Sequence, residues 1–222
     1  MNEIKLYLIR HGKTYCNEKN LYCGKSDIDL TETGIHELKE NAKKNKYPKC
    51  DFYFTSGAKR AKQTLEILCP GNKYNILEKF FEYDFGDFEL KSYEEIKLLK
   101  EYIGWIDDKE GNIKCPNGES RAEFRKRIKE AFTELIEYFI KENVKTAFGV
   151  THGGSIGMIL EMLYDDKKKF YEWQPKNGEG YELTITASEN GKFKIDKVIE
   201  KGGLYDWINN RLHFRYNNWR PQ

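Results

Sequence analysis

Residues 4–14 of this chain, IKLYLIRHGKT, hold an apolar run that ends abruptly in polar residues. The run itself, residues 4–9, is rich in branched aliphatic side chains and predicts a short buried strand. Arg10, His11 and Gly12 follow it with the polar turn chemistry that ends a strand. A strand that ends in this way and leads into a helix is the building unit of an α/β fold.

The same alternation of strand and helix recurs along most of the chain. Further strands are predicted over residues 51–55, 75–79 and 144–151. Apolar residues at helical spacing predict helices over residues 31–42, 58–68, 119–143 and 155–164, with a weaker helix near 93–102. A closing hairpin is predicted from residues 181–187 and 193–199. This order favours a three-layer α/β/α sandwich with a mostly parallel central sheet and a C-terminal β-hairpin.

Length and composition fit one compact domain. The chain has 222 residues, of which 39% are hydrophobic and 33% charged, so a core of ordinary size can form. We predict a single domain over residues 1–222, with an aromatic and basic tail at residues 204–222. No run of about 18 apolar residues occurs, so we expect no transmembrane helix, no signal peptide and a cytoplasmic location.

Charge and cysteine content exclude several classes of protein. Thirty-eight Lys and Arg balance 36 Asp and Glu, which is too even a balance for a dedicated nucleic-acid binder. We expect neither nucleic acid nor a membrane as a partner. The five cysteines are odd in number and form no CxxC pair, which argues against a disulfide framework and a structural zinc site. We interpret them as reduced thiols.

Polar residues stand at the carboxyl ends of four predicted strands, where ligands bind in open α/β sheets. Arg10 and His11 follow the first strand, and Arg60 follows the second in TSGAKRAKQT. Glu82 comes after the third strand in FEYDFGDFE, and His152 follows the fourth in VTHGGS. Each residue alone has an ordinary structural explanation. Their placement at equivalent strand ends predicts one shared site.

Six motifs in order along the chain carry a family resemblance. They are LIRHGKT with Asn17 six residues after His11, then GKSDIDLTETG, RAKQT, EYDFG, PNGES and THGGS. Together they resemble the successive motifs of the histidine phosphatase superfamily, also called phosphoglycerate-mutase-like, over roughly residues 4–165. The resemblance implies a metal-independent phosphomonoesterase without a cofactor, acting through a phosphohistidine intermediate.

The resemblance also implies a role for each strand-end residue. His11 is similar to the family's nucleophile, whose neutral imidazole attacks phosphorus. Arg10, Arg60 and His152 match the positions that surround the phosphoryl oxygens. Glu82 matches the acid that protonates the leaving alkoxide and later activates water, and Asp84 stays open as the alternative acid.

Substrate contacts are expected from the loop after His11 and from the helix start after His152. The predicted substrate-binding residues are Thr14, Asn17, Tyr22, Cys23, Gly24 and Gly153. The substrate is expected to be a small-molecule phosphomonoester, such as ribazole phosphate, a sugar phosphate or a nucleotide. Lys13 and Leu90 depart from common family patterns, so the substrate stays open, as does the oligomeric state.

Two local expectations concern residues outside this set. Ser56 is expected to cap the helix at residues 58–68. Asp87 and Glu89 are expected to be solvated charges of an acidic loop.

Three alternatives remain beside the phosphatase. A phosphoglycerate-type mutase is one, although residues 102–118 form a short stretch where true mutases carry a long basic insert, which favours hydrolysis. A metalloenzyme could use His11, His152 and Glu82 as ligands, but the arginines nearby would repel a cation. A non-catalytic phospho-ligand binding or signalling module is the third, and retention of all five key positions argues against it.

Overall fold

A six-stranded mixed sheet forms the centre of the computed structural model, which describes residues 2–44, 47–188 and 191–201. Its strands are β1 (Asn2–Arg10), β2 (Phe52–Thr55), β3 (Asn75–Ile76), β4 (Thr146–Thr151), β5 (Gly180–Ala187) and β6 (Phe193–Lys201). They lie in the order β3-β2-β4-β1-β5-β6. Strand β4 pairs in parallel with β1 and β2, and β2 with β3, while β5 pairs antiparallel with β1 and β6. The predicted mostly parallel sheet and closing hairpin are confirmed.

Helices connect the strands and cover both faces of the sheet. They are α1 (Tyr15–Lys19), α2 (Glu32–Lys44), α3 (Lys59–Leu68), α4 (Tyr93–Ile96), α5 (Lys100–Asp107), α6 (Arg121–Lys141) and α7 (Gly153–Leu163). Short 3-10 turns occur at Glu78–Phe80, Gly86–Phe88 and Phe170–Glu172.

Alternate residues of β1 face two separate cores. Leu6 and Leu8 join the cluster that contains the buried faces of α6 and α7. Tyr7 and Ile9 join the cluster that contains Leu38 of α2 and residues of α3. Because successive strand residues point to opposite faces, one apolar strand supplies both cores. The predicted three-layer α/β/α sandwich is therefore confirmed.

Three local expectations need correction. The strand predicted over residues 75–79 covers only Asn75–Ile76, because the backbone turns into a 3-10 helix at Glu78. The weak helix predicted near residues 93–102 is two helices, separated at Leu99 by an extended backbone. Ala58, not Ser56, is the N-cap of α3.

None of the helices among the described residues is long and apolar enough to cross a membrane. The predicted tail at residues 204–222 lies outside the described residues. A single domain over the whole of residues 1–222 therefore stays a prediction.

Candidate active site

The parallel pairing of β1 and β4 places their polar ends side by side. Arg10 lies opposite Thr151 in the register, and the His11 backbone N–H donates to the Thr151 carbonyl oxygen at 3.0 Å. The next residue, His152, thereby comes close to His11, with ring centroids 5.3 Å apart. The sheet thus assembles two of the predicted site residues directly.

Local geometry fixes the protonation state of His11. Its Nδ1 lies 2.7 Å from the carbonyl oxygen of Gly12, and because a carbonyl oxygen only accepts, Nδ1 must carry the proton. Burial is the main cause that lowers the pKa of His11 well below its ordinary value, followed by the charges of Arg60 and Arg10. The ring is therefore neutral, and Nε2 keeps its lone pair.

His152 is neutral in the opposite tautomer. Its Nδ1 lies 3.3 Å from the Arg60 Nη2, and because guanidinium only donates, Nδ1 must be the acceptor. Its Nε2 then carries the proton and donates to Ser56 Oγ at 2.7 Å. Burial and the charge of Arg60 lower the pKa of His152 well below its ordinary value. Ser56 holds this ring and is a site residue that the sequence analysis treated only as a helix cap.

The guanidinium groups of buried Arg60 and partly buried Arg10 lie beside these histidines, and each keeps a nitrogen without a hydrogen-bond partner. Arg10 donates from Nη1 to the Pro175 carbonyl at 2.9 Å. Arg60 donates to the carbonyls of Ser26 at 2.7 Å and Gly24 at 2.6 Å. The Nε atoms of both arginines are buried and make no hydrogen bond. Unpaired buried cationic donors are costly, so an anionic ligand would satisfy them.

Glu82 is a partly buried residue on the loop after β3. Its Oε2 accepts from the Gly154 backbone N–H at 2.8 Å, and Oε1 accepts from the Tyr83 N–H at 3.0 Å. Burial raises the pKa of Glu82, although the two N–H groups and Arg10 act in the opposite direction. The first turn of α7 was expected to offer its N–H groups to a bound anion. The structure corrects this for Gly154, whose N–H donates to Glu82.

An ion pair from α6 fixes the loop that carries Glu82. Arg127 donates to Glu119 Oε1 at 2.5 Å and to the Phe81 and Glu82 carbonyls at 2.8 and 3.2 Å. Glu119 Oε1 also accepts from the Asp84 N–H at 3.0 Å. Glu119 of the PNGES motif therefore fixes the loop and is not a group of the cavity wall.

A cavity of about 300 Å³ opens beside these groups. Seven of the predicted site residues line it, namely Arg10, His11, Thr14, Asn17, Tyr22, Cys23 and Glu82. The rest of its wall comprises Cys16, Asn20, Leu21, Tyr83, Phe85, Tyr93, Phe124, Gly154, Phe170, Gln174 and Asn177. Asp84 does not line it and instead forms an ion pair with Lys25 at 3.0 Å. This geometry favours Glu82 over Asp84 as the acid.

Four predicted site residues stand outside the cavity wall: Arg60, His152, Gly24 and Gly153. Arg60 and His152 form a second layer behind it. A Cβ on Gly153 would lie 3.2 Å from the Arg10 guanidinium carbon, so the missing side chain lets Arg10 pack closely. The Gly24 carbonyl accepts from Arg60 and its Cα faces the Tyr83 carbonyl, so a direct contact of Gly24 with substrate stays a prediction.

Glu89 is not a solvated loop charge, and that expectation was wrong. Its carboxylate accepts from the backbone N–H groups of Gly24, Lys25 and Ser26 at 2.9, 3.0 and 3.2 Å, and from the Phe85 N–H at 3.2 Å. It therefore fixes the loop whose carbonyls hold Arg60. Asp87 is exposed and accepts only from the Asn117 side chain among the hydrogen bonds described, as expected.

Eleven residues of the cavity wall are not among the predicted site residues, and three of them, Phe170, Gln174 and Asn177, come from one segment after α7. Asn177 Nδ2 lies 3.1 Å from the His11 carbonyl oxygen and 3.2 Å from Asn17 Oδ1. The Gly178 N–H also donates to the Arg10 carbonyl at 3.0 Å. The segment returns to the site because β5 begins opposite Ile9 at the end of β1. The turn-forming letters QPKNG were a weak signal of a loop, and no periodicity indicated its position.

Among the described residues, no group of three or more His, Cys, Asp or Glu side chains is arranged to hold a metal ion. The five cysteines carry free thiols.

Comparison with known proteins agrees with this geometry. The model of the histidine phosphatase superfamily (branch 1) matches residues 6–199. An adenosylcobalamin/alpha-ribazole phosphatase of Salmonella typhimurium is 26% identical over 72% of this chain and 79% of its own length. A 2,3-bisphosphoglycerate-dependent phosphoglycerate mutase of Nitrobacter hamburgensis is 31% identical over 73% of this chain and 84% of its own.

A solved structure shares the fold. The alpha-ribazole phosphatase from Shigella flexneri superposes with a TM-score of 0.73 at 22% identity, covering 86% of this chain and 94% of that chain. The resemblance predicted from the motifs is confirmed.

Proposed function

Because the chain belongs to the histidine phosphatase superfamily, we propose that it hydrolyses small phosphomonoesters through a phosphohistidine at His11. The observation that carries the proposal is the hydrogen bond from His11 Nδ1 to the Gly12 carbonyl, which leaves Nε2 as a free nucleophile in the cavity. In the first step Nε2 bonds to phosphorus and the P–O bond to the alcohol breaks. The leaving oxygen takes a proton from Glu82, whose raised pKa favours the protonated acid.

In the second step the same groups act in reverse. Glu82, now a carboxylate, accepts a proton from water, and the water oxygen bonds to phosphorus as the N–P bond breaks. Inorganic phosphate leaves, and His11 returns to its neutral form. Its depressed pKa keeps the ring unprotonated and ready for the next ester.

Charge on the phosphoryl oxygens is offset by the buried arginines. Arg10 lines the cavity, and both Arg10 and Arg60 keep an unpaired Nε donor. Fixed donors of this kind stabilise the charge of the transferring group without reorganisation. Among the described wall residues Arg10 is the one arginine or lysine, which leaves no cation to retain a second phosphate and favours hydrolysis over mutase chemistry.

We place the enzyme in the cytoplasm, with a small-molecule phosphomonoester as its partner and neither nucleic acid nor membrane. Support comes from the free thiols of all five cysteines, since disulfides are rare in reducing compartments. Fractionation of cells that make the protein tests this location.

The experiment that tests the function compares His11→Ala with the native chain in phosphate release from 4-nitrophenyl phosphate, with chelator present. We expect a loss of roughly 10⁴-fold or more, because no other group replaces the nucleophile. His36→Ala is the matched control, since His36 is exposed on α2 and outside the cavity.

Acid-labile phosphate trapped on the native protein, and absent from His11→Ala, supports the covalent intermediate. Turnover that persists in His11→Ala contradicts it. Turnover that the chelator abolishes would favour metal chemistry, and a native chain that turns over no ester would favour the binding module.

A further inference from the structure

The cavity has two chemically different ends. The phosphoryl end holds His11, Arg10 and Glu82, and the proposed function rests on it. The remainder receives the alcohol part of the ester, and two kinds of side chain dominate its wall, beside Thr14, Cys16, Leu21 and Cys23. One kind is aromatic and the other is a set of neutral amides. The chemistry of this remainder determines which alcohols fit.

Aromatic rings are one component of the wall of the remainder, and the hydroxyls of Tyr22 and Tyr83 bond inside the protein. The Tyr22 hydroxyl lies 2.7 Å from that of Tyr102, and the Tyr83 hydroxyl donates to the Glu119 carbonyl at 2.8 Å. The Trp105 indole N–H donates to Tyr83 Oη at 2.8 Å. Since its hydroxyl is engaged elsewhere, Tyr22 offers the cavity ring surface, whereas Tyr83 is only 2% exposed and mainly supports the neighbouring rings.

Mutual packing holds the aromatic rings of this wall in place. The Tyr22 and Phe85 ring centroids are 5.1 Å apart, and those of Tyr83 and Phe124 are 5.2 Å apart. Phe85 also lies 4.9 Å from Tyr83. Rings at these separations attract one another and leave a wall that is already organised before a ligand binds.

Neutral amides are the second component of the wall, from Asn17, Asn20, Gln174 and Asn177. Asn17 Oδ1 accepts from the Thr14 N–H at 3.0 Å and from Asn177 Nδ2 at 3.2 Å. With its oxygen occupied, Asn17 has its NH₂ group left to offer a ligand. The amides can therefore hydrogen-bond to an alcohol or a heterocycle without contributing charge.

The remainder is poorly suited to a carboxylate. Arg10 is the one lysine or arginine among the described wall residues, and it stands at the phosphoryl end. A carboxylate moved from water to a wall of rings and amides loses hydration without gaining an ionic partner.

We infer that the cavity beyond the phosphoryl end takes an uncharged alcohol that carries a flat ring, aryl or nucleoside-like, and discriminates against phosphomonoesters that carry a carboxylate. Ring stacking supplies affinity that tolerates different rings. The amides then orient the ring through hydrogen bonds.

The test compares kcat/KM for benzyl phosphate, adenosine 5′-monophosphate, O-phosphoserine and 3-phosphoglycerate. Benzyl phosphate and phosphoserine are a matched pair, because both release a primary alcohol. We expect at least one ring-bearing ester to exceed both carboxylate esters by tenfold or more. The order of the two ring-bearing esters distinguishes an aryl from a nucleoside-like ligand. Equal values across the panel, or a preference for phosphoserine, would overturn the inference.

A pair of variants tests whether the aromatic residues of the cavity wall cause the preference for ring-bearing esters. Tyr93→Ala removes a partly exposed ring from the cavity wall, and we expect it to lower the benzyl phosphate to phosphoserine ratio of kcat/KM by about threefold or more. Tyr138→Ala is the matched control, since Tyr138 is exposed on α6 away from this cavity. An unchanged ratio in Tyr93→Ala contradicts the stacking role.

Failure of this inference is distinct from failure of the proposed function. If the enzyme prefers carboxylate esters and His11→Ala abolishes their turnover, the phosphohistidine mechanism stands and only the substrate class is wrong. If turnover is independent of His11, the proposed function itself is wrong.

Discussion

The site has two halves that are built differently. In one half, Arg10, His11 and His152 stand at the ends of β1 and β4, and sheet hydrogen bonds position them. In the other half, Glu82 stands on an irregular loop, and charged side chains from distant elements position it. The nucleophile thus depends on backbone pairing, whereas the acid depends on polar clamps. Substitutions in the two halves should therefore differ in how far their effect depends on the leaving group of the ester.

Glu82→Gln should have the largest effect within the loop half. The variant cannot supply a proton, so we expect kcat for benzyl phosphate to fall by about 10²- to 10⁴-fold. The loss should be much smaller for 4-nitrophenyl phosphate, because its phenolate departs without protonation. Asp84→Asn is the matched control, and a larger loss in that variant would make Asp84 the acid.

The pH dependence of kcat also tests whether Glu82 is the acid. Because the protonated form of Glu82 is the acid and its pKa is raised, kcat for benzyl phosphate should fall as pH rises through that raised value. The depressed pKa of His11 keeps the nucleophile neutral on the acidic side. In Glu82→Gln we expect the fall of kcat at alkaline pH to disappear. If kcat falls with pH in the same way in that variant, the titrating group is not Glu82.

Arg127→Met should have an intermediate effect. It removes the donors that hold the Phe81 and Glu82 carbonyls, so the acid should be misplaced. We expect kcat for benzyl phosphate to fall by about ten- to a hundredfold, with a smaller loss for 4-nitrophenyl phosphate. Lys126→Met, an exposed neighbour on the same helix, is the control. Equal losses on both esters would indicate general damage to the fold instead of misplacement of the acid.

Glu89→Gln should have the smallest effect. It should act on the arginines beside the histidines and not on the acid. An amide cannot accept from all the N–H groups of residues 24–26, so the carbonyls that hold Arg60 should loosen. We expect kcat/KM to fall by about three- to tenfold, on the scale of one ordinary hydrogen bond, because a loosened Arg60 stabilises the transferring phosphoryl group less well. The exposed Asp87→Asn is the control. An unchanged kcat/KM in Glu89→Gln would contradict this role.

The strand half was predictable from the sequence, because a buried apolar run ending in RHG or THG fixes where its side chains emerge. The alternation of strands and helices predicted the layers for the same reason. Glu82 was predicted as well, although only the family resemblance distinguished it from its acidic neighbours.

The contacts by which Arg127 and Glu89 fix their loops were not predictable from the sequence, and neither was the position of the segment that carries Asn177. Glu89 was interpreted as a solvated charge because three of its partners are backbone N–H groups more than 60 positions away, and contacts at that distance leave no mark on the sequence. Asn177 depends on the register between β5 and β1. Pairing of distant strands is a tertiary property, so no local pattern around residue 177 predicts the contact with His11.

The antiparallel pairing of β5 with β1 also affects how the enzyme folds. Arg10 and His11 bond to Pro175 and Asn177 across separations of 165 and 166 positions. Contacts between residues so far apart in the sequence form late in folding, because the long intervening chain must first close into a loop. A refolding chain should therefore recover helical circular dichroism before phosphatase activity, so that activity reports completion of these long-range contacts.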